Sequence, residues 1–347
     1  MKLSHLLSIL LLAGVLGAQG TARADRTVVG VSWSSFRVER WKHDQAAMKA
    51  AIEKAGGTYL STDAKGTNEQ QTADIEGLIA RGAKVLVVLA WDADALLPAI
   101  KKAQARGIPV IAYDRLIQDK DVFFITFDNV EVGRMQAREV LKKKPTGNYV
   151  FIKGAKIDLN SDLLHKGQRE VLDPSIKAGK IVVVGDEYTE GWAPPVAQRN
   201  LEQILGQNDN KVDAVIASND GTAGGVVKAL QAHDLAGVAV SGQDGDIAAL
   251  GRVARGEQTV TVWKDSRKLG GAAGTVAMQL ARGAKPADIA GATAFAGGGK
   301  KIAQTAMLLK PVPITSENLD VVIKAGWAMR DQVCGGVNPA KAPAACK

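Results

Sequence analysis

The sequence predicts an α/β protein with two similar domains, each built on a parallel sheet flanked by helices. Short apolar runs alternate with amphipathic segments along the chain, a pattern that is typical of βαβ units. The alternation occurs twice, in two sets of five runs with similar spacing. A chain of 347 residues that is 46% hydrophobic is also long enough to bury two cores.

The first set of apolar runs lies in the N-terminal third of the chain. Its five runs are 27–33, 58–60, 85–90, 110–113 and 122–127. The helical segments between them are 41–55, 68–81 and 94–106. Glycine follows each of these segments, as it commonly does at helix ends. Crossover connections of this kind are right-handed and place the runs side by side in one parallel sheet.

The second set repeats this organisation further along the chain. Its runs are 149–152, 181–185, 212–217, 238–241 and 259–263. The helical segments between them are 163–172, 195–205, 222–233 and 247–254. Three segments then follow: a helix at 266–282, a glycine- and proline-rich stretch at 291–313 and a last helix at 316–327. Because this tail follows both sets, we expect it to cross between the domains and to give a hinge of several strands.

The domain boundaries follow from these sets. We expect residues 25–130 and 266–302 to form the first domain. Residues 131–265 and 303–333 are expected to form the second domain, and residues 334–347 a C-terminal tail.

The N-terminus has the form of a secretory signal peptide. Lys2 precedes an apolar run at 6–16, and Ala22, Arg23 and Ala24 follow it, so cleavage is expected after Ala24. Eleven apolar residues are too few to span a bilayer as a helix. We therefore expect residues 1–24 to be removed and the mature protein to be exported.

Composition excludes several other function classes. The formal net charge is +8, but Lys and Arg are scattered among acids, so no nucleic-acid partner is expected. The four His have no recognisable metal-ligand spacing, and neither a metal nor a cofactor is expected. Cys334 and Cys346 are the only cysteines. In an oxidising compartment they are expected to form a structural disulfide in the tail.

Polar and aromatic residues recur at the carboxyl ends of the predicted strands, where open α/β sheets bind ligands. Asp114 and Arg115, for example, directly follow the run 110–113. An isolated pair of this kind is more often a surface ion pair, and Asn219 and Asp244 are also compatible with helix N-caps. Hydroxyls both donate and accept hydrogen bonds, and a sugar ring packs on aromatic faces. The recurrence therefore favours a polyhydroxylated ligand.

Two other classes of protein share some of these sequence features. Asp, Arg and Lys at strand ends also build aldolase or isomerase sites, but the sequence shows neither a nucleophile elbow nor a His-based dyad. The ligand-binding core of a sugar-responsive repressor shares this architecture. The signal peptide and the lack of an N-terminal helix-turn-helix argue against it.

Eight short stretches resemble one known family, and they are spread over nearly the whole mature chain. They are RVERW (37–41), AYDR (112–115), FDN (127–129), VGD (184–186), GW (191–192), ASND (217–220), SGQD (241–244) and TVWK (261–264). Through them the chain resembles the type I periplasmic substrate-binding proteins of sugar ABC transporters, in their pentose- and hexose-binding group. The resemblance implies two Rossmann-like domains joined by a multi-stranded hinge.

The resemblance also implies a ligand set, with Arg40 as the basic contact after the first strand and Trp41 as a stacking ring. Asp114 and Arg115 would hold adjacent hydroxyls and the ring oxygen, and Trp192 would be the opposing stacking ring. The expected contacts are Arg40, Trp41, Asp114, Arg115, Asp158, Asn160, Trp192, Asn219, Asp244 and Lys264. We expect Asp220 to be only the N-cap of the following helix.

The resemblance implies partners as well. The expected ligand is D-xylose, with glucose, arabinose or ribose as alternatives. An ABC permease with its cytoplasmic ATPase would receive the sugar in the inner membrane, and a chemoreceptor is a further expected partner. The protein is expected to be a periplasmic monomer without catalytic activity.

Overall fold

The computed structural model describes residues 26–347, so the predicted signal peptide lies outside the described residues. The strands are β1 (Val28–Trp33), β2 (Thr58–Asp63), β3 (Val85–Val88), β4 (Val110–Tyr113), β5 (Val122–Phe127), β6 (Gly147–Lys153), β7 (Ile181–Tyr188), β8 (Ala214–Ala217), β9 (Ala239–Asp244), β10 (Val260–Trp263), β11 (Thr293–Phe295), β12 (Gln304–Leu309) and β13 (Val312–Ile314). The helices are α1 (Arg40–Lys54), α2 (Asn68–Ala80), α3 (Leu97–Ala105), α4 (Asn129–Lys143), α5 (Leu159–Lys177), α6 (Pro194–Gln207), α7 (Asp220–Ala232), α8 (Ile247–Arg255), α9 (Ser266–Ala281), α10 (Asp320–Lys324) and α11 (Arg330–Cys334).

These elements form two sheets. The first has the order β11-β12-β5-β4-β3-β1-β2, and all its neighbours are parallel except β11 and β12. The second has the order β13-β10-β9-β8-β6-β7, and its one antiparallel pair is β13 with β10. The predicted α/β fold with two parallel-dominated sheets is confirmed, and both sets of five predicted strands are present.

Each sheet is buried on both faces, as parallel sheets usually are. In the first sheet, Val29, Val87 and Ile111 belong to one apolar core. Their strand neighbours Val88 and Val110 belong to the core on the opposite face. The same alternation divides the second sheet between two further cores. Side chains alternate along a strand, so near-continuous apolar runs supply both cores at once.

The chain crosses between the domains three times. β5 ends at Phe127 in the first sheet, and α4 packs against α5 in the second domain. β10 ends in the second sheet, and α9 packs against α1 in the first domain. The third crossing runs from β12 to β13, between Leu309 and Val312. A hinge of several chain segments is therefore present between the two sheets.

The structure differs from the sequence prediction after residue 128. Helix α4 was not predicted, and the stretch 291–313 contains three strands. The sequence analysis places residues 303–333 in the second domain, but β12 pairs with β5 in the first sheet. The last predicted helix, 316–327, is reduced to α10. Strands β11 and β13 have three residues each, which are too few to show a period of two, so the sequence pattern did not reveal them.

The tail folds against the second domain. Cys334 and Cys346 form a disulfide with their Cα atoms 5.5 Å apart. Both cysteines pack against the apolar cluster around α8, which includes Leu250 and Val322. None of the helices within residues 26–347 is long and apolar enough to cross a membrane.

Candidate functional site

All ten side chains predicted as ligand contacts line one cavity between the two domains. The space between the lining atoms is about 350 Å³, which includes space that is open to solvent. The lining residues are Val38, Arg40, Trp41, Asp114, Arg115, Asp158, Asn160, Trp192, Asn219, Gln243, Asp244 and Lys264. Of these, sequence reasoning did not select Val38 or Gln243. The carboxyl ends of both sheets supply most of the lining, as expected for open α/β sheets.

Arg40 is the central cation of the first domain's wall. It opens α1, is 2% exposed, and its guanidinium lies 4.5 Å from the centre of the Trp41 ring. Its Nη2 is 3.3 Å from Asp114 Oδ2, and its Nη1 is 3.1 Å from Asp244 Oδ1 in the second domain. Burial alone would lower the pKa of Arg40, but Asp44, Asp114 and Asp244 together raise it well above its ordinary value. Arg40 is therefore held as a cation.

Behind Arg40 lies a second layer that sequence reasoning missed. Asp44 is fully buried, and its carboxylate lies 3.3 Å from both Nε and Nη2 of Arg40. The Tyr113 hydroxyl donates a hydrogen bond to Asp44. Burial raises the pKa of Asp44 from 3.8 to about 6, against the opposing effect of Arg40. The spacing of Arg40 and Asp44, one helical turn apart, was the sequence signal for this contact.

Asp114 and Arg115 follow β4, and their ionic partners are different residues. Arg115 Nε lies 2.9 Å from Asp158 Oδ2, in the other domain, and its Nη1 donates to Ala90 O at 2.8 Å. Asp114 Oδ2 is buried without a hydrogen bond, and its ion-pair partner is Arg40. The alternative interpretation of Asp114 and Arg115 as a surface ion pair with each other is therefore wrong. Asp114 has a φ of +59°, an uncommon conformation that clusters at functional sites.

The second domain's wall begins at the N-terminus of α5. Asp158 is the N-cap of this helix and accepts a hydrogen bond from Asn160 N at 3.0 Å. Trp192 Nε1 donates to Asp158 Oδ2 at 3.1 Å. Burial raises the pKa of Asp158, and Arg115 opposes that shift. A Cβ at Gly154 would lie 2.2 Å from the Trp192 ring, so only glycine admits the indole here.

Asn219 also combines a helix cap with the cavity. Its Oδ1 accepts a hydrogen bond from Thr222 N at 2.9 Å, and the Asn219 backbone N–H donates to the Thr222 hydroxyl at 3.1 Å. Asn219 is thus the N-cap of α7, and the prediction that Asp220 caps this helix is wrong. Asp220 instead accepts from Gly245 N at 2.9 Å and from the Thr261 hydroxyl at 2.6 Å. Asp220 therefore links the end of β9 to β10, and a carboxylate has enough acceptor sites to make both bonds.

Lys264 connects the cavity to the first crossing. It is 2% exposed, and its Nζ donates to Asn129 Oδ1 at 2.8 Å. Asn129 Nδ2 in turn donates to Asn160 Oδ1 at 2.9 Å. Burial lowers the pKa of Lys264, against the carboxylates of Asp114 and Asp244. The lysine and both amides therefore form one hydrogen-bonded chain beside the hinge.

The lining is balanced in charge. Its cations are Arg40, Arg115 and Lys264, and its anions are Asp114, Asp158 and Asp244. Three amides and two indoles complete the polar and aromatic lining. Such a set supplies donors and acceptors in similar number and flat apolar faces beside them. It suits a small neutral molecule that carries many hydroxyls.

Comparison with known proteins gives the family. Residues 29–285 match the model of the periplasmic binding protein domain. The chain belongs to the periplasmic binding protein family. It is 39% identical to the D-xylose-binding periplasmic protein of Escherichia coli (strain K12) over 331 residues, which cover 94% of this chain and 98% of the relative. The Haemophilus influenzae protein of the same name is 38% identical, with the same coverage.

A solved structure agrees with this assignment. The solute-binding protein of an ABC transporter from Clostridium phytofermentans, which holds β-D-glucose, is 29% identical to this periplasmic binding protein. The TM-score is 0.80, and the match covers 88% of this chain and all of the other. The predicted family is therefore confirmed over nearly the whole described chain.

Proposed function

We propose that this protein binds a monosaccharide, D-xylose, in the interdomain cavity and delivers it to an ABC importer. The observation that carries the proposal is the charge-balanced lining, to which both domains contribute. The relatives from E. coli and H. influenzae that share 39% and 38% of their residues with this chain are named for D-xylose. The role is binding and not catalysis.

The proposed mechanism is closure around the ligand. Contacts cross between the domains at Arg40 with Asp244, at Arg115 with Asp158, and at Asn160 with Asp114. A ligand that touches both walls binds the closed arrangement more strongly than an open one, and it shifts the equilibrium by that difference. Opposite charges on facing walls favour the same closure.

The proposed setting is the periplasm. Residues 1–24 would direct export and be removed. The closed protein would then dock on a permease that a cytoplasmic ATPase drives, and a chemoreceptor would recognise the same closed form. We propose that the binding protein acts as a monomer.

Titration calorimetry against D-xylose, D-ribose, L-arabinose, D-glucose and D-galactose tests the sugar. We expect D-xylose to bind most tightly. Glucose is the strongest competitor because the C. phytofermentans protein holds it. Tighter binding of glucose, or binding of none of the five, would overturn the xylose assignment. Product analysis after incubation with each sugar should recover the sugar unchanged.

The substitution Asp114→Ala tests the cavity. It removes an acceptor that faces Arg40 and Asn160. Hydrogen bonds to charged groups contribute about 1.5–3 kcal/mol each, so affinity for D-xylose should fall by about 10- to 150-fold for each bond lost. Asp121→Ala, which changes an exposed carboxylate in the turn before β5, is the matched control and should bind normally. Unchanged affinity in Asp114→Ala, with the fold intact by circular dichroism, would contradict the assignment of this cavity.

A further inference from the structure

Three amide side chains line the cavity, and they differ in what their oxygens contact. Asn160 Oδ1 accepts from Asn129 Nδ2 at 2.9 Å. Asn219 Oδ1 accepts from Thr222 N at 2.9 Å. Gln243 Oε1 is buried and has no hydrogen-bond partner within residues 26–347. The protein therefore uses the oxygens of two amides for its own structure and leaves that of Gln243 unused.

Backbone geometry brings Gln243 to the cavity. It lies near the end of β9, where its backbone is in register with Val262 of β10. Consecutive side chains in a regular strand point to opposite faces. Asp244 has a φ of +104°, which breaks that alternation, and both Gln243 and Asp244 line the cavity. An uncommon backbone conformation thus places a carboxamide beside a carboxylate at the same site.

Burial makes an unused amide oxygen costly. Gln243 is 4% exposed, and most buried polar groups in native proteins have a partner. A buried acceptor without a donor loses its contact with water and gains nothing in return. Since the Gln243 side chain borders the cavity, a ligand hydroxyl could donate the missing hydrogen bond to Gln243 Oε1.

We propose that Gln243 contacts one hydroxyl of the bound sugar directly and determines specificity for that hydroxyl. This inference rests on the proposed function. The charged groups of the lining either only donate or only accept, whereas a carboxamide does both. A hydroxyl also both donates and accepts, so the carboxamide and the hydroxyl can form a hydrogen bond with either of them as the donor. A sugar that lacks this hydroxyl leaves the amide unpaired, and sites built on such contacts reject the analogue strongly.

The test is a cycle of protein variants and ligand analogues, measured by titration calorimetry. D-xylose and four analogues that each lack one hydroxyl, namely the 2-, 3- and 4-deoxy sugars and 1,5-anhydroxylitol, are titrated into the wild type, Gln243→Met and Gln231→Met. Methionine keeps the length of glutamine without its hydrogen bonds. Gln231 is exposed on α7, so its substitution is the same chemical change away from the cavity.

Wild-type binding of D-xylose reports on the proposed function, and the comparison between proteins reports on Gln243. We expect Gln243→Met to bind D-xylose roughly 10-fold more weakly. For one hydroxyl, deletion should weaken wild-type binding by roughly 10-fold and binding to Gln243→Met by less than about 2-fold. Gln231→Met should behave as the wild type. Equal losses in both proteins for all four analogues would overturn the proposal.

A second measurement does not depend on the folding of a variant. In a crystal structure of the wild-type protein with D-xylose, Gln243 Nε2 or Oε1 should lie within about 3.2 Å of a sugar hydroxyl oxygen. A sugar bound in the cavity with that amide beyond hydrogen-bond distance would also overturn the proposal.

Discussion

The two walls of the cavity hold their polar groups in different ways. In the first domain, Arg40 is held by other side chains, namely the Asp44 carboxylate and, behind it, the Tyr113 hydroxyl. In the second domain, Asp158 and Asn219 are held by backbone, because each is the N-cap of a helix. One wall depends on a buried ionic network, and the other depends on secondary structure.

Because of this difference, the two walls should respond differently to substitution and to pH. A helix cap fixes a polar side chain as long as the helix exists, and the cap Asn219 has no charge to gain or lose. A buried carboxylate behind a guanidinium fixes that group only while the carboxylate is ionised. We therefore expect the first wall to respond more strongly than the second to substitution and to a change of pH.

Removing Arg40 should have the largest effect. Arg40→Met leaves Asp44, Asp114 and Asp244 without their shared cation. Breaking a buried ion pair from one side typically costs about 3–5 kcal/mol, so the free energy of unfolding should fall by that order. Affinity for D-xylose should fall roughly 1000-fold. Calorimetry and urea unfolding measure the two effects.

Lys49→Met is the control for Arg40→Met, because Lys49 lies on the same helix with its side chain 55% exposed. It should leave both quantities nearly unchanged. Equal losses in the two variants would show that α1 itself, and not the cation in the cavity, is responsible.

The next effect concerns the dependence of stability on pH. The pKa of Asp44 is raised from 3.8 to about 6, so the folded protein binds more protons than the unfolded chain between these values. The contribution of this carboxyl to stability is therefore full below about pH 4 and is lost as the pH rises through about 6. Wild-type stability relative to Asp44→Asn should fall by up to about 3 kcal/mol over this window.

Urea unfolding of the wild type and Asp44→Asn at several pH values between roughly 4 and 7 measures this difference. Asp121→Asn, at an exposed site, should give a constant difference from the wild type. A constant difference for Asp44→Asn as well would mean that the carboxylate titrates at its ordinary pKa.

The smallest expected effect belongs to the second wall. Trp192→Phe keeps an aromatic face but removes the indole N–H that donates to Asp158. Asp158 keeps its contacts with Arg115 and the Asn160 backbone. Affinity for D-xylose should therefore fall only roughly 10-fold. A loss as large as that of Arg40→Met would contradict the distinction between the two walls.

The ten predicted contacts were those that the resemblance to sugar-binding proteins implies, and all ten line the cavity. The rule that strand ends in a parallel sheet meet at one edge indicated only the region of the site. It did not predict Asp44, whose role depends on what lies behind Arg40. Gln243 was missed because regular alternation would turn it away from its neighbour Asp244. The positive φ that overrides the alternation leaves no mark in the residue types.

The secondary-structure elements that the sequence analysis missed are also of two kinds. One has local signals in the sequence, and the others depend on distant partners. Helix α4 had readable end signals, since Asp128 caps it, Glu131 lies in its first turn and two lysines lie in its last. Strands β11 and β13 have three residues each and pair only at sheet edges. Their existence depends on partners distant in sequence, which no local pattern records.

The three crossings also set an order for assembly after synthesis. Strands β6 to β10 of the second domain are contiguous in the chain, from residue 147 to residue 263. The first domain needs α9 to cover α1, and β12 to extend its sheet beyond β5. Both come from chain that is made after the second domain's parallel strands are complete. Strand β13 and the tail, which belong to the second domain, are made later still. Neither domain is therefore complete until residues beyond 300 have been made, and the cavity between the two forms after them.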